Sequence, residues 1–568
     1  MATNTKILFG LYDLTAKNDS KLEIEDKKSF SNLYDLKNDT VTELKYATLE
    51  KNYFTLDGTK KLLSESSYNG IGLCTNSMSD ENRNFEINPV LTINFTKYHS
   101  SNGITFYFSE DNYCNDLNIK FYRDNELLKD IDFQPDSNIY FCSEIVQRYN
   151  KLIIIFKKTN NPYRYVKLIN IVYGQNKIFE PSEIMSANIL EEIDLLSNEI
   201  SINTLDFSIF SKDESFNMLN PKGLFKLLQT RQMFKAYEVD GENEIDMGTF
   251  YLDEWKNETE AISNMKAIDL IGIMDKTTFY GGIYFDKPIL DILDEIFTSA
   301  NIDLEQYLEI SEELANIKLS GYIPICTHRE ALQQVIFPIG AVADCSRSEK
   351  IKIYKINNYS ECKEIDYKRK RQDSETVELS EIVTGVQVTA HEYTYNNSAS
   401  IEELYNSELE IGEYLITFSE PVYNISVTNG NLKEYTCNYA KIEVSSKSTV
   451  IINGYKYFHT TQVYESRIQG LVDSDKENIL QVTNATLINK EIAQEISDRI
   501  LTYYQNSYNL SVDFRIKTET LGDTAVVDTL YNQKLKGVIN KLDIDLTGGF
   551  IGSTTINGAL YQEEQDDE

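Results

Sequence analysis

Short runs that alternate apolar and polar residues recur along the chain, and this period of two constrains the fold more than any other feature. Side chains alternate sides along a strand, so each run reads as a strand with one buried and one wet face. "GITFYFS" sets Ile104, Phe106 and Phe108 on one face. "DLNIKFY" does the same with Leu117, Ile119 and Phe121, and "RDNEL" after it supplies a turn. "NEISINTLDFSIF" alternates through Ile200, Ile202, Leu205, Phe207 and Ile209, and "KLDIDLTGGF" through Leu542, Ile544 and Leu546. "KLIIIFKK" and "RYVKLINIVYG" are apolar on both faces, as strands central to a sandwich often are.

Helical spacing is confined to a few places. "NPKGLFKLLQTRQ" opens on a turn-forming Asn-Pro and carries Leu224, Leu227 and Leu228. "PILDILDEIFTSA" lines up Ile289, Ile292, Leu293 and Ile296. "THREALQQVIFPIGAV" begins with a capping box, Thr327 then Glu330, and Ile488, Ile492, Ile496 and Ile500 recur four apart in a segment spanning about 487–504. The short segments "MFKAYEV", "DMGTFYLDEW", "NMKAIDLIGIM" and "KIKIYKI" read as strands.

A chain of 568 residues is too long for one core. The expected fold class is mainly β with minor α, in several domains. The pattern divides into an N-terminal segment at 1–48 and an antiparallel β-sandwich at 49–178. A β domain follows at 179–290, an α+β domain at 291–380 and a second β domain at 381–484. A helix-plus-β domain with an acidic tail closes the chain at 485–568. With 9 prolines and 25 glycines, no Pro-rich or Gly-rich linker separates them.

Charge and composition narrow the partners. A net charge of −34 repels nucleic acid, so sequence-specific DNA or RNA binding is not expected. The basic run "KRKR" at 368–371 lies beside Asp366, Asp373 and Glu375 and reads as a solvated loop. The strongest apolar run, "LIIIF", is far short of the ~20 residues that span a bilayer, so no membrane partner is expected. "MATNTKILFGLYD" lacks the charged and apolar regions of a signal peptide, which suggests a protein made in the cytoplasm. The seven cysteines form no C-x-x-C pair and read as reduced thiols rather than zinc ligands or disulfides.

Where chemistry could lie is the sharper question. "DMGTFYLDEWKN" holds the only tryptophan, Trp255, beside Asp253 and Glu254. "AIDLIGIMDKTTFYGGIY" follows, with Asp269, Asp275 and Gly281-Gly282. An acidic active site is one reading. The simpler one is a half-buried strand closed by Trp255, solvated turn carboxylates at Asp253 and Asp275, and a tight turn or bulge at the glycine pair. "HEYTY" lacks the second His of a zincin helix, and Cys326 and His328 are sequence neighbours at a helix start. No nucleophile-elbow, Walker or dinucleotide glycine pattern is present. No catalytic, cofactor-binding or metal-ligating residue is therefore expected, although with 89 carboxylates a catalytic pair would be invisible.

The order of segments from 180 to 568 resembles the tail-hub proteins of phages, prophages and phage-tail-like bacteriocins of Gram-positive bacteria. "NPKGLFKLLQTRQ", "MGTFYLDEWKNE", "KAIDLIGIMDKTTFYGGIY" and "THREALQQVIFPIGAVADCSRSEKIKIY" carry it. So does the closing "LGDTAVVDTLYNQKLKGVINKLDIDLTGGFIGSTTINGAL". The resemblance implies a homotrimeric ring of β-barrel-like domains, at about 180–290 and 380–480, braced by the helices. It also implies a structural adaptor assembled into a virion tail or tail-like particle. Its partners would be tail-tube or distal-tail proteins, the tape measure, and the spike, tip or other baseplate proteins.

An acidic surface suits a conduit along which DNA slides without sticking. The chain stops soon after the hub-like part, so the fused wall hydrolase of some relatives is not expected. It also carries the added sandwich, whose final "YVKLINIVYG" resembles the last strand of galactose-binding-like jelly rolls and carbohydrate-binding modules. That opens an alternative: a receptor-binding protein that recognises a host-surface glycan, with Tyr98, Tyr107, Tyr113 and Tyr122 as candidate stacking rings.

Overall fold

Strands from both ends of the chain meet in one 13-stranded sheet. The computed structural model describes residues 4–12, 14–23, 30–32, 50, 73–109, 112–220, 232–240, 243–356, 362–396, 400–470, 477–506, 508–547 and 549–561. In strand order the sheet begins Gly174–Phe179, Asn4–Tyr12, Met233–Asp240, Asn243–Asn257, Ile262–Ile268 and Thr204–Phe210. It continues through Ile184–Glu192, Lys534–Asp545, Ile551–Tyr561 and Tyr508–Arg515 to Thr376–Leu379. Thr524–Asp528 joins alongside Lys534–Asp545 and itself carries Lys363–Ile365.

One core lies along this sheet, from Ile7 and Phe9 through Phe207, Phe234 and Phe250 to Phe514, Leu542 and Ile544. The Phe9 ring stacks on Phe234 at 4.2 Å, and Phe179 packs on Phe216 at 5.2 Å. Burying each such ring contributes about 1.5–3 kcal/mol, so the first strand is bound to the sheet by packing as well as by its ladder. The chain is mainly β and built of several sheets, as its period-two pattern implies. The barrels do not appear as closed cylinders: among the described residues the strand path is open, from Gly174–Phe179 at one edge to Thr376–Leu379 at the other. Among the described residues the region 380–480 forms no barrel either. It consists of small three-stranded sheets, while the second half of the large sheet comes from 508–561.

The added sandwich is an eight-stranded sheet, built around two long strands rather than several short ones. Val90–Phe108 and Ile139–Thr159 pair twice, Val90–Asn94 with 151–155 and Gly103–Tyr107 with 139–143. Register slips between Asn94 and Gly103 bend the pair over a core that includes Phe106, Phe121, Tyr149 and Phe156. Gly103 has φ +144, and a Cβ there would lie 2.3 Å from the Cys142 carbonyl oxygen, so the bend needs glycine. The turn in "RDNEL" is present, with Asp124 at φ +47 and Asn125 at φ +72. Those left-handed values give the two-residue hairpin turn that suits Asp and Asn.

Helices sit against the middle of the chain's core. His328–Ile339 has both halves of its capping box: the Glu330 N–H donates to Thr327 Oγ1 at 3.1 Å, and the Thr327 N–H to Glu330 Oε2 at 2.8 Å. At its other end Arg499 Nη2 donates to the Phe337 carbonyl at 2.7 Å, satisfying a terminal acceptor. Arg499 belongs to Ala493–Tyr503, the helix expected from about 487 and shorter than its apolar spacing implies. Asn489 Oδ1 accepts the N–H groups of Glu491 and Ile492 and so delays the helix. "NMKAIDLIGIM" is strand only to Ile268, and Leu270–Asp275 is a short helix capped by Asp269. The expected helix in 220–232 lies outside the described residues apart from its two ends.

Residues 402–456 form a knob. Two three-stranded sheets enclose Ile416, Ala440, Ile442, Val444, Val450 and Ile452. The knob is inserted between Gly385–Thr394 and Phe458–Arg467, which pair with each other without a register slip.

Candidate functional site

The Trp255 stretch borders an open groove of about 580 Å³ on the large sheet. Register builds its floor. Asp545, Asn188, Asp206, Lys266 and Glu254 stand opposite one another across successive strands. The next row holds Ser208, Asn264 and Lys256, and Ser208 Oγ donates to Asn264 Oδ1 at 2.7 Å. Crowding by the surrounding chain and the charge of Glu254 raise the Asp206 carboxyl above its ordinary value, against the pull of Lys266. A glycosidase-type site needs two carboxyl groups facing each other across a gap. Here Lys266 occupies the register position between Asp206 and Glu254. The row sets Lys266 between two carboxylates rather than leaving them to face each other across a gap.

Trp255 faces the core through a β-bulge. Strict alternation would put it with Tyr251, away from Phe250 and Leu252. The ladder to Ile262–Ile268 slips between Leu252 and Glu254, leaving Asp253 as the extra residue. Leu252 therefore opposes Ala267 and Trp255 opposes Met265, all packed in one core. The indole lies 5.7 Å from the Phe216 ring, half-buried, and its Nε1–H has no acceptor among the described residues. Trp255→Ala is expected to cost about 2–3 kcal/mol, short of the ~3–5 of a fully buried Trp, because an unsatisfied donor is lost with the ring. Asp253→Asn and Asp275→Asn should each stay within about 1 kcal/mol. Thermal midpoints of the three variants test this ordering, and equal losses would reverse the structural reading of Trp255.

The other residues of the motif are dispersed. Asp253 pairs with Lys276 at 3.2 Å, and Asp275 with Arg329 at 2.8 Å. Asp275 is thus held by an ion pair rather than simply solvated. Asp269 is buried, accepting the N–H of Gly272 at 2.8 Å and of Asn203 at 2.9 Å. Burial is the main reason its carboxyl is pushed up to about 7, and Asp344 adds to the rise. Gly281 has φ +70 with the Ile323 carbonyl 2.2 Å from where its Cβ would be, the close approach that its turn requires.

The buried polar cluster around Asp269 has no counterpart among the residues singled out from sequence. Asn203 links it to Ser346 at 3.2 Å, and Asp344 accepts the N–H of Ser346 at 2.8 Å. Nearby, Glu191 stands on the buried face of its strand and is held by Arg347, Nε to Oε1 at 3.2 Å and Nη2 to Oε2 at 3.4 Å. Burial raises the Glu191 carboxyl against that pairing. These groups join the large sheet to the helical layer.

Cys326 and His328 do not form a nucleophilic pair. Burial pushes the Cys326 thiol up to about 12, and the His328 ring nitrogens face Thr277 Oγ1 at 2.8 Å and Ser299 Oγ at 3.1 Å. His391 instead meets His459, Nδ1 to Nε2 at 3.0 Å, with Tyr393 stacked on His459 at 4.3 Å. No cluster of three or more His, Cys, Asp or Glu among the described residues is arranged to hold a metal ion. The "KRKR" run is less solvated than expected. Arg369 pairs with Glu519 at 2.7 Å over the Phe514 ring, and Lys370 pairs with Glu375 over Tyr367.

The four sandwich tyrosines are not gathered on one platform. The Tyr98 hydroxyl donates to Asp124 at 2.6 Å under Arg148, near the end of the strand that carries Tyr122. Tyr113 precedes the other end of that strand and donates to the Asp136 carbonyl at 3.1 Å, while Tyr107 packs against the helical core.

No protein-family model matches the chain, and no curated protein matches it. The solved structures to which it is similar include three tail proteins. One from Neisseria meningitidis MC58 shares 10% identity at a TM-score of 0.42, covering 67% of this chain and 93% of that one. The 43 kDa tail protein of prophage MuSo2 from Shewanella oneidensis shares 10% at 0.39, covering 67% and 95%. The prophage tail protein gp18 from Listeria monocytogenes EGD-e shares 9% at 0.37, covering 69% and 92%.

Proposed function

We propose that the protein is a structural hub of a phage tail or phage-tail-like particle. Three copies would enclose an axial channel and join the tail tube to the tip, spike or wall-degrading module. The observation that supports it best is the join between distant segments. Ile189 opposes Ile544, and Asn243–Asn257 reaches Lys534–Asp545 through only three intervening strands. The "MGTFYLDEWKN" stretch and the closing stretch that carry the sequence resemblance thus belong to one hydrogen-bonded sheet, a rigid body suited to transmitting load. Several of its carboxylates are held in ion pairs, Glu191 with Arg347, Glu244 with Lys6 and Glu192 with Lys541, as in a scaffold.

A closed ring needs two different surfaces on each copy. One candidate is Thr376–Leu379, the edge of the sheet among the described residues, whose four residues are all exposed, with Leu379 at 73% and neighbouring Ile382 at 74%. The exposed apolar side chains Val377, Leu379 and Ile382 at this edge mark a contact surface. Leu379→Asp is therefore expected to shift the sedimentation of the isolated protein from trimer to monomer while changing the unfolding free energy of the monomer by no more than about 1 kcal/mol. Analytical ultracentrifugation reads the first and calorimetry the second. Imaging of assembled particles decides the broader reading: a protein at the tail periphery, or absent from tails, would sink it.

A further inference from the structure

Two β-bulges on opposite walls of one groove turn aromatic rings toward the same space. In Gly282–Pro288 the register with Lys318–Ile323 slips between Tyr284 and Lys287, and Asp286 within the slip has φ +50. In Val422–Thr428 the register with Ser448–Lys456 slips between Tyr423 and Ser426, and Asn424 there has φ +48. Left-handed residues other than glycine cost free energy, and bulges re-aim side chains near functional sites. The first bulge presents Phe285 at 48% exposure, opposite Tyr395 at 56%. Phe285 lies 6.0 Å from Tyr395, Tyr395 is 5.1 Å from Tyr457, and Tyr423 is 4.9 Å from Tyr457. The groove they line has a volume of about 830 Å³, a size typical of ligand sites.

The chemistry of the walls selects the occupant. The charged groups there are already engaged: Asp286 with Lys318 at 2.8 Å, and Glu295 with Lys287 and with the Tyr284 hydroxyl at 3.1 Å. Among the described residues the rest of the lining includes aromatic side chains, Thr436, Cys437 and the Asn424 amide, with no uncompensated charge to recruit an ionic ligand. The whole chain, at −34, disfavours an anionic polymer. A pyranose complements such walls, since its C–H face packs on the electron-rich face of an aromatic ring while its hydroxyls exchange hydrogen bonds.

We propose that this groove, between Gly282–Pro288 and the base of the 402–456 knob, binds a neutral oligosaccharide through pyranose stacking on Phe285 and Tyr395. The proposal does not depend on a place in a tail, since the isolated chain would bind in solution. Titration calorimetry of the full chain with chitotetraose, cellotetraose, maltotetraose and mannotetraose tests it, with a basic and an acidic decapeptide alongside. At least one saccharide should bind, Phe285→Ala and Tyr395→Ala should each weaken it about tenfold, and Tyr395→Phe should largely retain it. If Phe285→Ala lowers the thermal midpoint, the exposed Tyr395 variants carry the test. No saccharide binding, binding of a peptide alone, or unchanged affinity in Tyr395→Ala overturns the proposal.

Discussion

Arg347→Met is expected to destabilise the protein by about 3–5 kcal/mol, among the largest losses available to a single substitution outside the apolar cores. Glu191 is 1% exposed on the inner face of Ile184–Glu192, and Arg347 supplies two hydrogen bonds to its carboxylate. Removing the guanidinium leaves that carboxylate buried without its counter-ion, and it must either protonate or draw in water. The double variant Glu191→Gln/Arg347→Met should recover most of the loss, because a buried pair contributes little net stability against its desolvation cost. Chemical denaturation of both variants and the parent checks this. If the double variant is as unstable as the single one, the loss does not come from an uncompensated Glu191 charge.

Glu191 also shows where sequence reading stops. In "ANILEEIDLL" the alternation puts Ala187, Ile189 and Glu191 on one face, and only a partner 156 residues away makes the third of these tolerable. Local rules worked where the cause was local. The capping box of Thr327 and Glu330, the turn at Asp124-Asn125 and the inward face of Leu205, Phe207 and Ile209 were all legible. They failed where a single extra residue resets the period, as at Asp253, which moves Trp255 to the face of Leu252.

The reading of "IDLIGIM" as strand failed for a different reason. A short apolar run fits a buried strand and a buried helix equally, and length does not separate them. The available signal was Asp269 placed to cap the N–H of Gly272. The composite sheet was not legible at all, since strand neighbours such as Ile189 and Ile544 are chosen by packing across hundreds of residues. The groove of Phe285 and Tyr395 was hidden likewise, because its two walls come from segments that nothing in the sequence connects.

Asp269 should make the protein less stable as pH rises from about 4 to about 7. Unfolded, its carboxyl titrates near its ordinary 3.8; folded, burial and the neighbouring Asp344 push it up to about 7. Between these values the native state holds a proton that the unfolded state has released. Stability therefore falls with rising pH across the window and levels off above it. A rise of this size corresponds to about 4 kcal/mol. Glu191, raised in the same direction, adds to the slope. Asp269→Asn removes the titration while keeping a residue that caps helices well, although its amide must turn to accept one of the two backbone N–H groups. Measured by urea denaturation at pH 5.0 and pH 7.5, the parent should lose stability between the two and the variant markedly less. The difference between the slopes isolates Asp269 from the general repulsion of a chain at −34. Parallel slopes in the two proteins would mean that Asp269 is already ionised at pH 5.0, with its two backbone donors outweighing its burial.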